Sequence, residues 1–518
     1  MTQTTPRTLV ERFLRGLEIS PDRPAVRIGS ETITYRQVHS TALRWAGALV
    51  ASGSPRAVGV LAGKSRNAYM GLLAVLYAGA TVVPLQPDFP AARTRRMIRM
   101  AGVDTVIADE RGLAVLPEIV DQETAVRVLD TDGFADRFPV VPVASEPGMS
   151  APIRVAPSDR AYIFFTSGST GVPKGVPVSH GGLVHYLDQL DRRCDFQADD
   201  VFAQTYDLAF DPGVHDVFAA WGTGAMLQAF PPAAYRDFPS FLAEHRVTIW
   251  HSTPMAIRMA RQMGGLREGV LGGLRWSFFG GEALRCQDVT DWLAAAPASK
   301  LENLYGPTEL SIGITAHRWS GEESIRGGVN GTVPIGKVYA DHEFRLVTEE
   351  GEQSDVEGEL WIAGPQMTTG YLDPADNQGR FVELDGLRWY RTGDRVRANP
   401  DGHLAYVGRM DSQVKVHGWR VELAEVDHLA RTCVGVRDAA TVARSATHGT
   451  ELVVFYTGVE VPESTLADAM RAALPASTVP RQYIHVDEFP VTPNHKVDRL
   501  ALRKQAEELS ESHHSPWG

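Results

Sequence analysis

Short apolar runs alternate with amphipathic stretches through the first third of the chain. Residues 57–61 and 80–85 are apolar runs of strand length, and residues 67–78 between them have the spacing of a helix. Strands that alternate with helices are typical of a mainly parallel sheet. This part of the sequence therefore predicts an α/β fold.

The last hundred residues have a different pattern. Residues 413–421 and 452–456 are strand-like, and residues 463–474 have helical spacing up to Pro475. Their number suits a small α+β unit of its own. We therefore predict an α/β protein with a large N-terminal domain of layered β-sheets and helices and a small α+β C-terminal domain. The predicted ranges are 1–410, 411–505 and a polar tail at 506–518.

Residues 161–175 combine an apolar run with a loop rich in glycine and hydroxyl groups. The run at 161–165 is short enough for a buried strand, and Ser179 precedes leucines at helical spacing, which predicts a helix N-cap. Glycine backbone, hydroxyl groups and one lysine are what a polyphosphate needs. An ordinary surface loop has a similar composition, and the Walker pattern is absent because Gly175 follows the lysine. The candidate phosphate-binding residues are Thr166, Ser167, Gly168, Ser169, Thr170, Gly171 and Lys174.

Two later strands end in glycine-rich turns, where α/β folds usually bind ligands. The first runs from Trp276 into Gly280, and the second ends at Tyr305. The ring of Tyr305 has the shape to stack on a nucleobase, and Glu309 is a candidate magnesium ligand. A packed aromatic and a solvated helix start explain the same two residues equally well.

The composition excludes several classes of protein. The chain has 518 residues, of which 43% are hydrophobic and 22% charged, so it can fill a sizeable core. A net charge of −12 without a run of Lys or Arg argues against nucleic-acid binding. Three widely spaced cysteines argue against a disulfide framework or a zinc site. We find no signal-peptide core and no run of about 18 apolar residues, and we expect a cytoplasmic monomer that binds neither membrane nor nucleic acid.

The sequence from Thr166 to Gly175, Thr-Ser-Gly-Ser-Thr-Gly-Val-Pro-Lys-Gly, resembles the phosphate loop of the adenylate-forming superfamily. That superfamily comprises acyl-CoA synthetases, firefly-type luciferases and the adenylation domains of nonribosomal peptide synthetases. The resemblance covers about residues 9–502. It implies ATP and Mg²⁺ as cofactors, no permanently bound cofactor, and a C-terminal domain that moves.

The resemblance also assigns roles to single residues. It implies that Glu309 holds Mg²⁺, that Asp411 is the hinge between the domains, and that Lys496 bridges the substrate carboxylate and the α-phosphate. The family usually has glycine where His495 stands. Without the motif, Lys496 would be one surface lysine among many. The implied adenine- and ribose-binding residues are Gly281, Glu282, Ala283, Asn303, Tyr305, Gly306, Asp394 and Arg409.

The stretch from Thr205 to Phe218 bears on the class of substrate. Asp211 matches the aspartate that pairs with the α-ammonium in amino-acid adenylation domains, because a buried ammonium needs an anion. Asp-Pro-Gly is also a turn signal in its own right, and the family usually has serine where Gly213 stands. The implied pocket residues are Asp211, Pro212, His215, His251, Phe278, Gly280, Leu304, Ile312 and Gly313.

We expect Gly280 and Gly313 to leave room for a side chain, and His215 and His251 to offer hydrogen bonds. This favours a small to medium, possibly polar, L-α-amino acid, with serine, threonine, alanine and glutamate as candidates. Two histidines can equally be packing residues.

The leading hypothesis is a stand-alone enzyme that forms an aminoacyl-AMP and passes the aminoacyl group to a separate phosphopantetheinylated carrier protein. The alternatives are a β-amino-acid adenylation enzyme, an acyl- or aryl-CoA synthetase on the same fold, and a non-catalytic nucleotide-binding relative.

Overall fold

The helices and strands are taken from a computed structural model that describes most of the chain. The described residues are 6–121, 124–131, 138–144, 148–167, 173–410, 413–416, 419–446, 449–474, 479–492 and 496–512. The helices are α1 (Leu9–Ile19), α2 (Tyr35–Ala51), α3 (Arg66–Tyr77), α4 (Ala91–Ala101), α5 (Glu110–Ile119), α6 (His180–Arg193), α7 (Pro212–Thr223), α8 (Phe238–Glu244), α9 (Met255–Gln262), α10 (Cys286–Ala295), α11 (Glu322–Gly327), α12 (Leu423–Thr432), α13 (Glu463–Ala473) and α14 (Arg499–Ser512).

The strands follow in chain order. They are β1 (Pro24–Ile28), β2 (Glu31–Thr34), β3 (Ala57–Leu61), β4 (Thr81–Leu85), β5 (Thr105–Ala108), β6 (Arg127–Asp130), β7 (Val140–Pro142), β8 (Arg160–Ser167), β9 (Pro173–Ser179), β10 (Val201–Gln204), β11 (Met226–Ala229), β12 (Ile249–Ser252), β13 (Trp276–Gly280), β14 (Lys300–Tyr305), β15 (Thr315–Arg318), β16 (Lys337–Val338), β17 (Glu343–Val347), β18 (Gln353–Ser354), β19 (Glu357–Ala363), β20 (Phe381–Leu384), β21 (Leu387–Ala398), β22 (Leu404–Arg409), β23 (Gln413–Val416), β24 (Trp419–Glu422), β25 (Val436–Ala446), β26 (Gly449–Gly458) and β27 (Gln482–His485).

Two large, mainly parallel sheets form the body of the protein. One has the order β7-β6-β5-β3-β4-β8-β9, and the other β16-β15-β14-β13-β12-β10-β11-β1-β2. A third, antiparallel sheet contains β17 to β22, and β23–β24 and β25–β26–β27 form two smaller sheets. This mixed, layered arrangement confirms the predicted α/β fold class.

The main core lies between the two large sheets and is filled by helices α1, α2, α3, α6 and α7. The α7 residue Trp221 is fully buried there and its indole N–H donates to the carbonyl of Ala25 on β1. A buried Trp that also satisfies its polar atom ties helix to sheet by packing and by hydrogen bonding. The three cysteines, Cys194, Cys286 and Cys433, are free thiols and all are buried.

Several expected elements are present. The strands predicted at 57–61 and 80–85 are β3 and β4, they pair in parallel, and α3 lies between them. Ser179 caps α6, its hydroxyl accepting the amide of Gly182 at 3.1 Å. Among the described residues, none of the helices is long and apolar enough to span a membrane.

Other expectations are corrected. Thr166 and Lys174 are paired residues of the hairpin β8–β9, because the apolar alternation continues past the glycines and fills a sheet edge. The strand-like run at 413–421 is two strands, β23 and β24. The tail predicted from residue 506 is helical as far as Ser512, because Ala506 is buried against the last three-stranded sheet. Gly168–Gly171 and the hinge residue Asp411 lie outside the described residues.

Candidate active site

A cavity of about 570 Å³ opens beside the carboxyl ends of β13 and β14. Elements from both sides of residue 411 line it, because α12 and the start of α14 lie across from these strand ends. All eight predicted adenine- and ribose-binding residues line this cavity, together with Lys496. Those eight are Gly281, Glu282, Ala283, Asn303, Tyr305, Gly306, Asp394 and Arg409.

A buried carboxylate, Asp394, organises one wall of the cavity. Its Oδ2 accepts the phenol of Tyr305 at 2.5 Å, and its Oδ1 accepts Arg409 Nη1 at 3.1 Å. The pairing of β21 with β22 sets Asp394 opposite Arg409, and Tyr305 is the last residue of β14. A carboxylate held this way can accept sugar hydroxyls beside an aromatic ring.

Lys496 reaches the same cavity from the C-terminal part of the chain. A Cβ built on Gly281 would lie 3.4 Å from Lys496 Nζ, and Gly281 has a φ of +83°. Only a residue without a side chain fits there without strain. The next amide, that of Val497, donates to Glu282 at 3.3 Å, so this segment is anchored to the turn after β13.

Ion pairs between residues that line the cavity also join the two parts of the chain. Asp438 at the start of β25 pairs with Arg285, and its Oδ2 lies 3.4 Å from Arg258 Nε. Arg258 also pairs with Glu282 at 2.9 Å. Burial raises the pKa of Asp438, but Arg285 and Arg258 offset this, so its pKa lies below its ordinary value. These groups favour the arrangement in which Lys496 faces the cavity.

The hairpin that flanks the predicted phosphate loop carries Lys174. Its ammonium pairs with Asp376 at 2.9 Å and lies 5.3 Å from the ring centre of Tyr371. Thr166 faces Lys174 across the hairpin, and Ser167 ends β8. The structure therefore describes both ends of the loop but not its centre.

Glu309 lies one short turn after β14. Its Oε1 accepts the phenol of Tyr371 at 2.6 Å, so Tyr371 touches both Glu309 and the neighbourhood of Lys174. Mg²⁺ prefers oxygen ligands, is often bound by only one or two carboxylates, and takes further ligands from water and substrate phosphates. One fixed carboxylate beside the phosphate hairpin fits that ion.

Asp211 is a buried carboxylate at the N-terminus of α7, whose first residue is Pro212. Burial raises its pKa to about 6, although Thr308 Oγ1 donates to it at 3.0 Å and the Ile312 amide also favours the charged form. Among the described residues, none forms an ion pair with Asp211. An ionised carboxylate in this place lacks the cation that its burial calls for.

The Ile312 amide is held in a strained loop. Ser311 and Ile312 have φ values of +57° and +78°, and a β-branched residue rarely adopts such a conformation. Gln366 holds the loop, its Nε2 donating to the carbonyls of Gly313 at 2.7 Å and Leu310 at 3.0 Å. Strain of this kind persists only where the surroundings enforce it.

Most of the remaining predicted pocket residues stand on neighbouring strands of one sheet. His251, Phe278, Gly280 and Leu304 stand on the adjacent strands β12, β13 and β14. His215 stacks on His251 with ring centres 4.2 Å apart. His251 Nδ1 donates to Asp216 at 2.9 Å, so at least this histidine is fixed by a buried acid.

The expectation that two glycines leave room for a substrate is wrong. A Cβ on Gly313 would lie 2.8 Å from the ring of Tyr186, and one on Gly280 would lie 2.9 Å from the carbonyl of Leu304. Both glycines admit protein atoms, a tyrosine ring in one case and a neighbouring strand in the other. Protein atoms therefore occupy the space beside both glycines.

The sequence of this chain matches a known protein family. The family model described as AMP-binding enzyme matches residues 13–372. The chain belongs to the AMP-binding enzyme family. The predicted membership of the adenylate-forming superfamily is thereby confirmed.

This AMP-binding enzyme is similar to two solved structures over nearly its whole length. It is 50% identical to IdnL7, with a TM-score of 0.89, covering 97% of this chain and 99% of that one. It is 27% identical to the Vibrio cholerae adenylation domain AlmE, solved in complex with glycyl-adenosine-5'-phosphate, with a TM-score of 0.73 and coverages of 98% and 99%. It is 31% identical over 512 residues to tyrocidine synthase 3 of Brevibacillus parabrevis, covering 96% of this chain but only 8% of that protein.

Three residues of this AMP-binding enzyme support the site without any local motif. Gln366 holds the strained loop, Tyr186 fills the space behind Gly313, and Lys64 donates to the carbonyls of Gln204 and Thr205 at 2.8 and 2.6 Å. Burial lowers the pKa of Lys64 to about 8. Each acts on a segment far away in sequence, so no local pattern identifies it.

Proposed function

We propose that this AMP-binding enzyme activates an amino acid with ATP and transfers the aminoacyl group to the thiol of a carrier protein. The observation that carries the proposal is Asp211, a buried carboxylate that forms no ion pair with any residue the structure describes. A substrate α-ammonium supplies the missing charge. An acid without an amine would leave this carboxylate uncompensated.

In the first step, a substrate carboxylate oxygen attacks the α-phosphorus of ATP. A new O–P bond forms, the bond to the β-phosphate bridging oxygen breaks, and pyrophosphate leaves. Asp211 holds the ammonium, Asp394 and Tyr305 hold the nucleoside, and Lys496 offsets the negative charge that the two reacting anions bring together. Thr166, Ser167, Lys174 and the loop between them bind the phosphates. Mg²⁺ bound at Glu309 would neutralise phosphate charge.

In the second step, a thiol attacks the carbonyl carbon of the aminoacyl-AMP, and AMP leaves as the new thioester forms. We propose the phosphopantetheine arm of a separate carrier protein as the source of that thiol. We also propose that residues 411–505 form a small domain that turns about Asp411 between the steps, since Lys496 is needed only in the first.

The test of the first step is substrate-dependent exchange of labelled pyrophosphate into ATP. The panel contains α-amino acids, β-amino acids, aryl acids and fatty acids. We expect strong exchange with α-amino acids and none with acids that lack an amine. Exchange only with aryl or fatty acids, or only with β-amino acids, would contradict the proposed substrate, and no exchange with any acid would contradict the activity itself.

The second step is tested separately by mass spectrometry of a phosphopantetheinylated carrier protein. We expect its mass to increase by one aminoacyl residue in the presence of enzyme, ATP and the best substrate. The same carrier without phosphopantetheine is the control. Transfer to free coenzyme A at an equal rate would contradict a dedicated carrier.

A further inference from the structure

We propose that Tyr186 forms the floor of the amino-acid pocket and limits the substrate to a side chain of about two non-hydrogen atoms. The inference rests on the proposed function and names the class of amino acid: alanine, serine and glycine rather than glutamate or a larger residue. Tyr186 lies on α6 and matches none of the positions expected to line the pocket.

The ring of Tyr186 fills the space beside Gly313. The ring of Tyr186 is fully buried, and its Cε2 lies 2.8 Å from where a Cβ on Gly313 would be. Tyr186 therefore already occupies the space that a side chain at position 313 would take. Phe278 lies edge-on to His215 with ring centres 5.2 Å apart. Tyr186, His215 and Phe278 are therefore a cluster of buried rings, which we place at the end of the proposed pocket.

The spacing of Asp211 and His215 on α7 limits the length of the substrate side chain. Asp211 and His215 are four residues apart at the start of α7, so their side chains lie on one face about 6 Å apart along the helix axis. A substrate whose ammonium is bound to Asp211 therefore has its side chain close to the ring of His215, and this short spacing favours a small side chain.

The rings of Tyr186 and His215 are held in place by hydrogen bonding and stacking. Tyr186 Oη and His215 Nδ1 share a hydrogen bond of 2.7 Å, and His215 also stacks on His251, which Asp216 holds. Both rings are fully buried, so neither can swing into solvent to admit a longer side chain. Burial lowers the pKa of His215 well below its ordinary value, so its ring is neutral at pH 7.

One polar atom on this floor has no partner. His215 Nε2 is buried and, in the described part of the chain, forms no hydrogen bond. A buried polar atom without a partner costs about 1–3 kcal/mol, which a bound hydroxyl can recover. This favours serine among the small amino acids.

The experiment is pyrophosphate exchange by the wild-type enzyme over a graded series: glycine, alanine, serine, 2-aminobutyrate, norvaline, leucine and glutamate. We expect kcat/KM to fall at least tenfold between 2-aminobutyrate and norvaline, which differ by one methylene group. A best substrate with three or more side-chain atoms would overturn the inference and leave the proposed function standing. No exchange with any member would refute the proposed function first.

Variants locate the cause. We expect Tyr186→Leu to raise the norvaline-to-alanine ratio of kcat/KM at least tenfold, and Tyr186→Phe to keep the wild-type ratio because the ring remains. The matched control is Tyr77→Leu, which removes a second fully buried tyrosine that bonds to a histidine, His39, at 2.9 Å. A folded Tyr186→Leu enzyme with an unchanged ratio would overturn the inference. If this variant does not fold, the wild-type series alone decides.

Discussion

The cavity that we propose binds the nucleotide and the pocket that we propose binds the amino acid are built in opposite ways. In the cavity, charged groups are paired with one another: Asp394 with Arg409, and Glu282 with Arg258. In the pocket, Asp211 is buried without an ion-pair partner among the described residues. The cavity is formed by two parts of the chain, whereas the pocket lies within the N-terminal part alone.

This difference teaches how each region achieves selectivity. Paired charges at strand ends can hold a polar ligand by several fixed contacts at once. An unpaired charge closed off by packed rings selects by charge and size together. We expect activity to be sensitive to single charged residues in the cavity. In the pocket, we expect it to be sensitive to the volume of the substrate side chain and to the protonation of Asp211.

The largest expected effect tests the cavity. We expect Lys496→Ala to lower exchange about 10²- to 10³-fold, because removing one group that stabilises transition-state charge typically costs about 3–4 kcal/mol. The control is Lys504→Ala, which removes an exposed lysine of α14 paired only loosely with Glu508. Exchange by the Lys496 variant within threefold of wild type would show that Lys496 has no role in this step.

The next effect tests the pocket. We expect Asp211→Asn to raise the KM for the amino acid about 100-fold and to change the KM for ATP less than threefold, because the ammonium loses its anion. Asp199→Asn removes the same charge from an exposed position and serves as the control. A similar rise in both KM values for Asp211→Asn would contradict the separation of the two regions.

Although Asp211→Asn is expected to weaken substrate binding, we expect it to stabilise the folded enzyme. Because the pKa of Asp211 is raised from 3.8 to about 6 in the folded state, its ionisation opposes folding increasingly between these two pH values, and the full penalty applies above about pH 6. At pH 8, Asp211→Asn is expected to increase the free energy of unfolding of the substrate-free enzyme by up to about 2–3 kcal/mol. A thermal melt at pH 8 measures this, and a lower melting temperature would contradict it.

The pH profile sharpens the contrast further. As the pH falls through about 6, Asp211 becomes protonated and can no longer pair with an ammonium. We expect kcat/KM for the amino acid to fall up to tenfold per pH unit below 6, and the fall to disappear in Asp211→Asn. A profile that is flat from pH 5 to 8 in the wild-type enzyme would mean that Asp211 does not bind the amine.

The smallest effect concerns the contact between the two parts of the chain. We expect Asp438→Asn to slow exchange about three- to tenfold, because Arg285 and Arg258 lose their buried partner and Lys496 faces the cavity less often. Asp468→Asn, which breaks an exposed pair with Arg471, is the control. Loss of carrier loading without loss of exchange would contradict this account.

The sequence predicted the cavity better than the pocket, for a physical reason. Asp394, Tyr305 and Lys496 stand in short motifs, and strand ends that carry glycines can be recognised without a partner segment. β3, β4 and the Ser179 cap were likewise predictable, because each depends on local periodicity or on one hydrogen bond.

The size of the pocket was not predictable in this way. It depends on Tyr186 and Gln366, which are remote in sequence from Gly313 and the loop they support. The expectation that Gly313 leaves room failed because a missing side chain does not say which neighbour takes its place. The end of α14 failed similarly, since Ala506 is buried by a sheet that forms from a different segment.

The buried thiols described above have a practical consequence. Burial raises the pKa of Cys194, Cys286 and Cys433, so the thiolate that reacts with electrophiles is scarce at neutral pH. A maleimide or vinyl reagent is therefore expected to label a pantetheine arm in preference to this enzyme. The wild-type chain, without cysteine replacement, then suits fluorescence and cross-linking measurements of carrier docking.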